Sequence, residues 1–230
     1  MKYLSLLLLA LCLLFFGSNS RSDNFEAWDF KPINGSLEET IIWFDQAKAV
    51  HERLGGKVEY WQHDVMGNNV ISYLIRFDTQ ENWASFKDKL TTDEAWQTWI
   101  NKNYKTFSSH LVESFSLGNV LNPNAEASAW DGLNVIGFSA WEVADDKVIT
   151  DLLTSMQKSS EIDSEFNLSP MVYSSGLGPL YYLTGGKNWA DLQSKIAKRN
   201  ESKAWTEYWT AAGQDPAGDF VRQAFSVRIQ

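Results

Sequence analysis

Val70-Ile-Ser-Tyr-Leu-Ile-Arg-Phe77 is the stretch from which the fold can be read. It follows a turn over 66–69 and precedes a helix capped by Asp78 or Thr79, so it reads as a strand. Side chains of a strand alternate between two faces. Val70 and Leu74 then share one face, and Ile71, Tyr73, Ile75 and Phe77 share the other. A sheet with helices on one side and water on the other would be apolar on one face only. Both faces of this strand therefore need a cover. The segment 134–141 makes the same demand.

The second cover is written in the same chain. Gly67, Tyr73 and Leu74 recur as Gly176, Tyr182 and Leu183 in the same order and spacing. Asn82-Trp83-Ala84 recurs as Asn188-Trp189-Ala190, and Ala95-Trp96 with Trp99 recurs as Ala204-Trp205 with Trp209. Phe115-Ser116 recurs as Phe225-Ser226. Four matches in series predict two copies of one unit.

Each half reads as the same series of elements. The first predicts a strand over 25–33 and a helix opened by Ser36 and Glu39 as a capping box and stopped by Gly55-Gly56. Strands over 57–64 and 70–77 follow. A helix runs to about 90, a shorter one opens on a Thr91/Glu94 capping box, and a strand spans 110–117. The second half predicts a strand over 134–143, a helix capped by Asp145, a hairpin of 171–174 with 180–183, a two-piece helix over 189–209 and a last strand over 220–229. This β-α-β-β-α-β order is the ferredoxin-like motif. The expected class is α+β: two ferredoxin-like units, 21–118 and 133–230, joined by a polar linker over 119–132 and closed on each other as one barrel-like core.

Thr92-Asp-Glu-Ala-Trp-Gln-Thr-Trp99 and Lys203-Ala-Trp-Thr-Glu-Tyr-Trp209 precede the last strand of each half. With this order of elements the chain resembles the dimeric α+β barrel superfamily, which includes the antibiotic-biosynthesis-monooxygenase, EthD and NIPSNAP groups. The resemblance implies that two sheets pair, here within one chain, so a monomer is expected. It also implies that organic substrates are held between helices and sheet, in some members by little more than a His, Tyr, Asn or Trp. Haem-handling members exist, but their ligand histidine does not map onto His51, His63 or His110.

Composition bounds the rest. Lys2 and the apolar run Leu4–Phe16 have the form of a signal peptide over 1–20, too short to span a membrane. The expected location is secreted or periplasmic. The single cysteine, Cys12, leaves with that leader, so no disulfide is expected. Loss of Lys2 would leave nineteen basic against twenty-nine acidic residues, which argues against nucleic acid and anionic membrane surfaces as partners. All 11 Trp lie beyond the leader, as a large aromatic core or as an aromatic-lined cavity.

No metal, phosphate-loop or dinucleotide motif is present, and no cofactor is expected. His51 reads as a half-buried helix residue and His110 as structural. His63 shares a strand face with Trp61, and the repeat sets it against Val172, so it is a catalytic candidate peculiar to the first half. Glu113 is in phase with Leu111, Phe115 and Leu117, and its counterpart Gln223 with Val221 and Phe225. A carboxylate on an apolar face should have a raised pKa, which suits a general base, unless Arg76 or Arg222 pairs with it. Tyr73 and Tyr182 could line the same cavity. Trp61, Tyr73, Tyr182 and Gln223 are the expected ligand-binding residues, and His63, Glu113 and Tyr73 the catalytic candidates. Three functions follow in order: a small apolar or aromatic ligand bound without catalysis, a cofactor-independent oxygenase or haem-handling enzyme, and a structural or partner-binding domain.

Overall fold

A computed structural model describes residues 23–33, 36–65, 68–103, 109–121, 130–175 and 178–229. The expected leader and most of the expected linker lie outside the described residues. Eight strands are β1 Asn24–Pro32, β2 Lys57–Val65, β3 Asn68–Phe77, β4 Ser109–Asn119, β5 Val135–Val143, β6 Met171–Ser174, β7 Leu180–Gly186 and β8 Gly218–Arg228. Six helices are α1 Leu37–Arg53, α2 Gln80–Thr92, α3 Glu94–Asn103, α4 Ile149–Glu165, α5 Trp189–Asn200 and α6 Lys203–Gln214.

The strands close into a barrel in the order β1-β3-β2-β8-β5-β7-β6-β4, with every pair antiparallel. Each half contributes a four-stranded ferredoxin-like sheet, and the halves meet at two seams. One seam pairs Trp61 with Arg228 and Gln62 with Val227. The other pairs Tyr173 with Asn119 and Ser174 with Gly118. These are equivalent pairs, so a pseudo-two-fold axis relates the two sheets.

The two-faced strands are explained by this closure. Phe25, Ala27, Trp61, Leu74, Ile136 and Leu183 meet inside the barrel. Phe44, Tyr60, Ile71, Tyr73, Ile75 and Phe86 pack outside it, between the first sheet and its helices. Leu152, Met156, Val172 and Leu180 do the same in the second half.

Local chemistry places the helices. Ser36 Oγ accepts from Glu39 N at 3.3 Å, and Gly55, at φ +105°, follows the end of α1 in the region that glycine favours. Thr79 and Asn188 cap α2 and α5 in the same way. Two expected caps are corrected. Asp93, not Thr91, accepts from Trp96 N and opens α3, because its carboxylate reaches the third amide of the turn at 2.8 Å. Asp145 lies too far upstream for α4: Val148 is the cap position, and Asp151 reaches back to its N–H at 3.0 Å.

The structure also corrects the residue equivalences. The strand pairs Tyr60–Tyr73 and Val172–Tyr182 set Val172 against Tyr60, so it does not match His63. The strand register sets Asp29 against Glu113 and Ala140 against Arg222, so Glu113 corresponds to Arg222 and not to Gln223.

Candidate functional site

The expected site residues fall in three places. Trp61, His63 and Glu113 line the barrel interior. Tyr73 lies under α1 on the outer face of the first sheet. Tyr182 and Gln223 line a cleft between the second sheet and its helices. Tyr73 and Tyr182 therefore do not share a cavity: they occupy equivalent positions on opposite outer faces of the barrel.

The two outer clefts are built on one plan and filled differently. The buried positions of α1 are Thr40, Phe44, Ala47, Val50 and His51, and those of α4 are Leu152, Met156, Ser159 and Asp163. Thr40, Phe44, Ala47 and His51 align in spacing with the four residues of α4. His51 thus corresponds to Asp163, and each meets the matching tyrosine. Tyr73 Oη lies 2.8 Å from His51 Nδ1, and Tyr182 Oη donates to Asp163 Oδ2 at 2.7 Å.

In the first half aromatic rings fill the cleft. Phe44 packs on Tyr73 at 5.0 Å, and Trp96 lies 4.6 Å from the His51 ring. Burial first, and then the Lys87 charge, lower the His51 pKa to about 4, so this imidazole is neutral at pH 7. Burial raises the Tyr73 pKa, so its phenol stays protonated. Tyr73 and His51 therefore belong to a closed core.

In the second half Met156 and Ser159 stand where the first has Phe44 and Ala47, and the cleft stays open. It holds a cavity of about 340 Å³. Trp141, Trp205 and Trp209 form its aromatic wall, with Trp205 and Trp209 edge to face at 5.5 Å. Arg199 is the only Lys, Arg, Asp, Glu or His among the described lining residues. It lies 3.7 Å over the Trp205 ring and donates to Asp163 Oδ1 at 3.0 Å. Asp163 is wholly buried, which raises its pKa, while its bonds to Tyr182 and Arg199 act the other way. Burial, and then the Asp163 charge, raise the pKa of Tyr182. The wall thus offers flat apolar surface, hydroxyl groups and a guanidinium whose charge is already matched.

Glu113 is not the buried, unpaired carboxylate that its alternation predicts. Arg222 donates to it at 3.0 Å, and their side chains are 39% and 43% exposed. Its base role fails on that pairing. Gln223 faces the second-half cleft with Phe225, while Arg222 and Ser226, on the other face of the strand, line the barrel interior.

Sequence reasoning missed Asp163, Arg199, Trp141, Asp29 and Ser72. Asp29 carried a signal, since it alternates in phase with Phe25 and Ala27. Asp163 carried one only through its spacing from the buried positions of α4.

The sequence matches no family model and no curated protein. Among solved structures the chain is similar to a candidate monooxygenase from Fusobacterium nucleatum subsp. nucleatum, at 7% identity and TM-score 0.55, over 91% of this chain and 93% of that one. It is similar to a haem-binding protein from Thermus thermophilus, at 7% identity and TM-score 0.50, over 93% and 95%. It is also similar to a chlorite dismutase from Candidatus Nitrospira defluvii in complex with imidazole, at 9% identity and TM-score 0.51, over 93% of each chain. The chain has the dimeric α+β barrel fold. At these identities the likeness is one of fold alone.

Haem can be tested against the residues present. His51, His63 and His110 all lie in the first half, and none lines the open cleft. The phenols there are engaged, Tyr182 by Asp163 and Tyr208 by Ser155 at 3.1 Å. A histidine-ligated haem does not fit this cleft. No described helix is long and apolar enough to cross a membrane.

Proposed function

We propose that the chain is an exported binding protein that holds a flat, largely apolar small molecule in the second-half cleft. One observation carries this reading: two clefts of the same plan, one packed shut by aromatic rings and the other open over about 340 Å³ with three indoles in its wall. A cavity of that size and lining suits a small organic ligand. The signal peptide over 1–20, secreted or periplasmic location, and a monomeric state with both sheets satisfied internally belong to the same proposal. So does the origin of units 21–118 and 133–230 by duplication across a linker over 119–132. Equivalent seam pairs support it.

The second reading is an enzyme of the cofactor-independent oxygenase kind. The buried Tyr182–Asp163 pair at the wall of the open cleft favours it, since it is a polar group that packing alone does not require.

The test is titration with N-phenyl-1-naphthylamine, a neutral fluorescent aromatic. The wild-type chain enhances its fluorescence saturably, with one site per chain. Ala212→Trp, at the rim of the cleft, weakens binding at least tenfold. Equal binding by that variant would remove the proposal. Native mass spectrometry of the purified chain then reads the mass of any ligand carried from the host.

A further inference from the structure

The barrel interior carries a polar wall that neither outer cleft uses. Ser72 Oγ donates to Asp29 Oδ1 at 2.5 Å, and His63 Nε2 lies 2.5 Å from the same hydroxyl. A carboxylate can only accept, so the one Ser72 proton goes to Asp29 and His63 Nε2 must donate to Ser72. The other ring nitrogen, Nδ1, lies 3.4 Å from Ser226 Oγ. Serine stands between the aspartate and the histidine, so this is not the order of a nucleophile triad.

All four residues line a cavity of about 70 Å³ inside the barrel. Its remaining wall is mostly apolar and aromatic, with Phe25, Trp61 and Phe138. Glu113 and Arg222, half exposed and paired, stand at its mouth. Glu113 is matched by Arg222, but Asp29, 6% exposed, has no lysine or arginine partner among the described residues, and His63 is 3.7 Å from it. Its second oxygen has no hydrogen-bond partner among them. A buried carboxylate is costly unless paired. The wall therefore offers acceptors and a carboxylate with no lysine or arginine partner among the described residues, beside aromatic rings, which also attract cations.

We infer that the barrel interior is a second binding site, for a small primary ammonium ion that Asp29 holds. Size limits the ligand: the cavity is about half the roughly 150 Å³ that admits benzene, so it takes an ion of about two or three heavy atoms. The second half has no such site, because Ala140 stands where the first has Asp29 and Tyr181 where it has Ser72.

The test compares ethylammonium with ethanol, its neutral counterpart, on the wild-type chain at ionic strength fixed with sodium chloride. Binding is followed by calorimetry and by the indole N–H resonances of Trp61 and Trp130. Ethylammonium binds saturably and at least tenfold tighter than ethanol, and tetramethylammonium, too bulky for the cavity, does not compete. Asp29→Asn, checked for folding by circular dichroism, loses that preference, while Ala212→Trp in the outer cleft keeps it. Equal affinity for ethylammonium and ethanol would overturn the inference. So would undiminished binding by folded Asp29→Asn, or shifts of Trp141 and Trp205 in place of Trp61 and Trp130. The wild-type comparison decides the matter even where Asp29→Asn does not fold.

Discussion

Tyr182 donates to Asp163 at 2.7 Å from the place where, in the other half, Tyr73 meets His51. The same contact is neutral in one half and anionic in the other. The anion in turn holds Arg199, the one ionisable group in the described wall of the open cleft other than its phenols. The charge of Arg199 is spent on Asp163, so the cleft should favour uncharged aromatic ligands.

Asp163→Asn tests that consequence. It leaves Arg199 without its matching charge beside the cleft. The wild-type chain prefers N-phenyl-1-naphthylamine to its sulfonated analogue, 1-anilinonaphthalene-8-sulfonate. In Asp163→Asn the ratio of the two affinities moves at least tenfold toward the sulfonate. The same change costs about 3 kcal/mol in urea unfolding, because it breaks a buried pair. An unchanged ratio in a folded variant would show that Arg199 does not set the preference.

His51 makes the fold sensitive to acid. Its folded value near 4 lies below the ordinary 6.5, so the unfolded chain takes up the proton first as pH falls. Its contribution is complete above about pH 6.5 and is lost progressively toward pH 4, a change of about 3 kcal/mol by linkage. Asp163 and Asp23 have raised values and act in the opposite sense. The difference between wild type and His51→Phe isolates the histidine. Between pH 7 and pH 4.5 the urea midpoint should fall further in the wild type than in the variant, and an equal change in both would contradict the assignment.

Arg76 is the largest of the fully buried side chains, and it ties the barrel interior together. It donates to Glu59 Oε1 at 2.6 Å, and Arg228 approaches the same oxygen at 3.2 Å. Arg76→Leu should cost about 3–5 kcal/mol, since it strips a buried carboxylate of its nearest cation. A cycle with Glu59→Leu should show coupling of about 1–3 kcal/mol in chemical denaturation. Additive losses would mean that the pair is not a unit.

Glu113→Gln should change little. The pair with Arg222 is half exposed, and such pairs contribute about 0–1 kcal/mol. Affinity for the neutral probe should stay within twofold of wild type. A tenfold loss of that affinity would return Glu113 to the outer site.

Added haem gives a further check. With no histidine in the lining of the cleft, a reduced-minus-oxidised spectrum should show no histidine-ligated signature after gel filtration. A Soret band that persists through the column would contradict the exclusion.

The closed barrel was legible because Val70–Phe77 is apolar on both faces and so needs a second cover, which the repeat in the same chain supplies. The sites were less so. Sequence spacing set Glu113 against Gln223 by matching Phe115 to Phe225, but the strand register sets Phe115 against Ala224 and so Glu113 against Arg222. Alternation put Glu113 in phase with Leu117 and Gln223 in phase with Phe225, but a short Phe-Ser match could not show that these are opposite faces of the two sheets. The open cleft was hidden for another reason. Replacing Phe44 by Met156 at an equivalent helix position looks conservative in sequence, yet it removes the ring that packs on the matching tyrosine. Trp richness announced aromatic surface without saying which half would leave it uncovered.

The proposed ligand occupies the second-half cleft and not its twin. The most direct measurement is the indole N–H spectrum of the chain with and without N-phenyl-1-naphthylamine, assigned by single Trp→Phe replacements. Binding in that cleft shifts Trp141, Trp205 and Trp209 and leaves Trp43, Trp96 and Trp99 unmoved. Shifts confined to the first-half trio, or spread evenly over both, would contradict it.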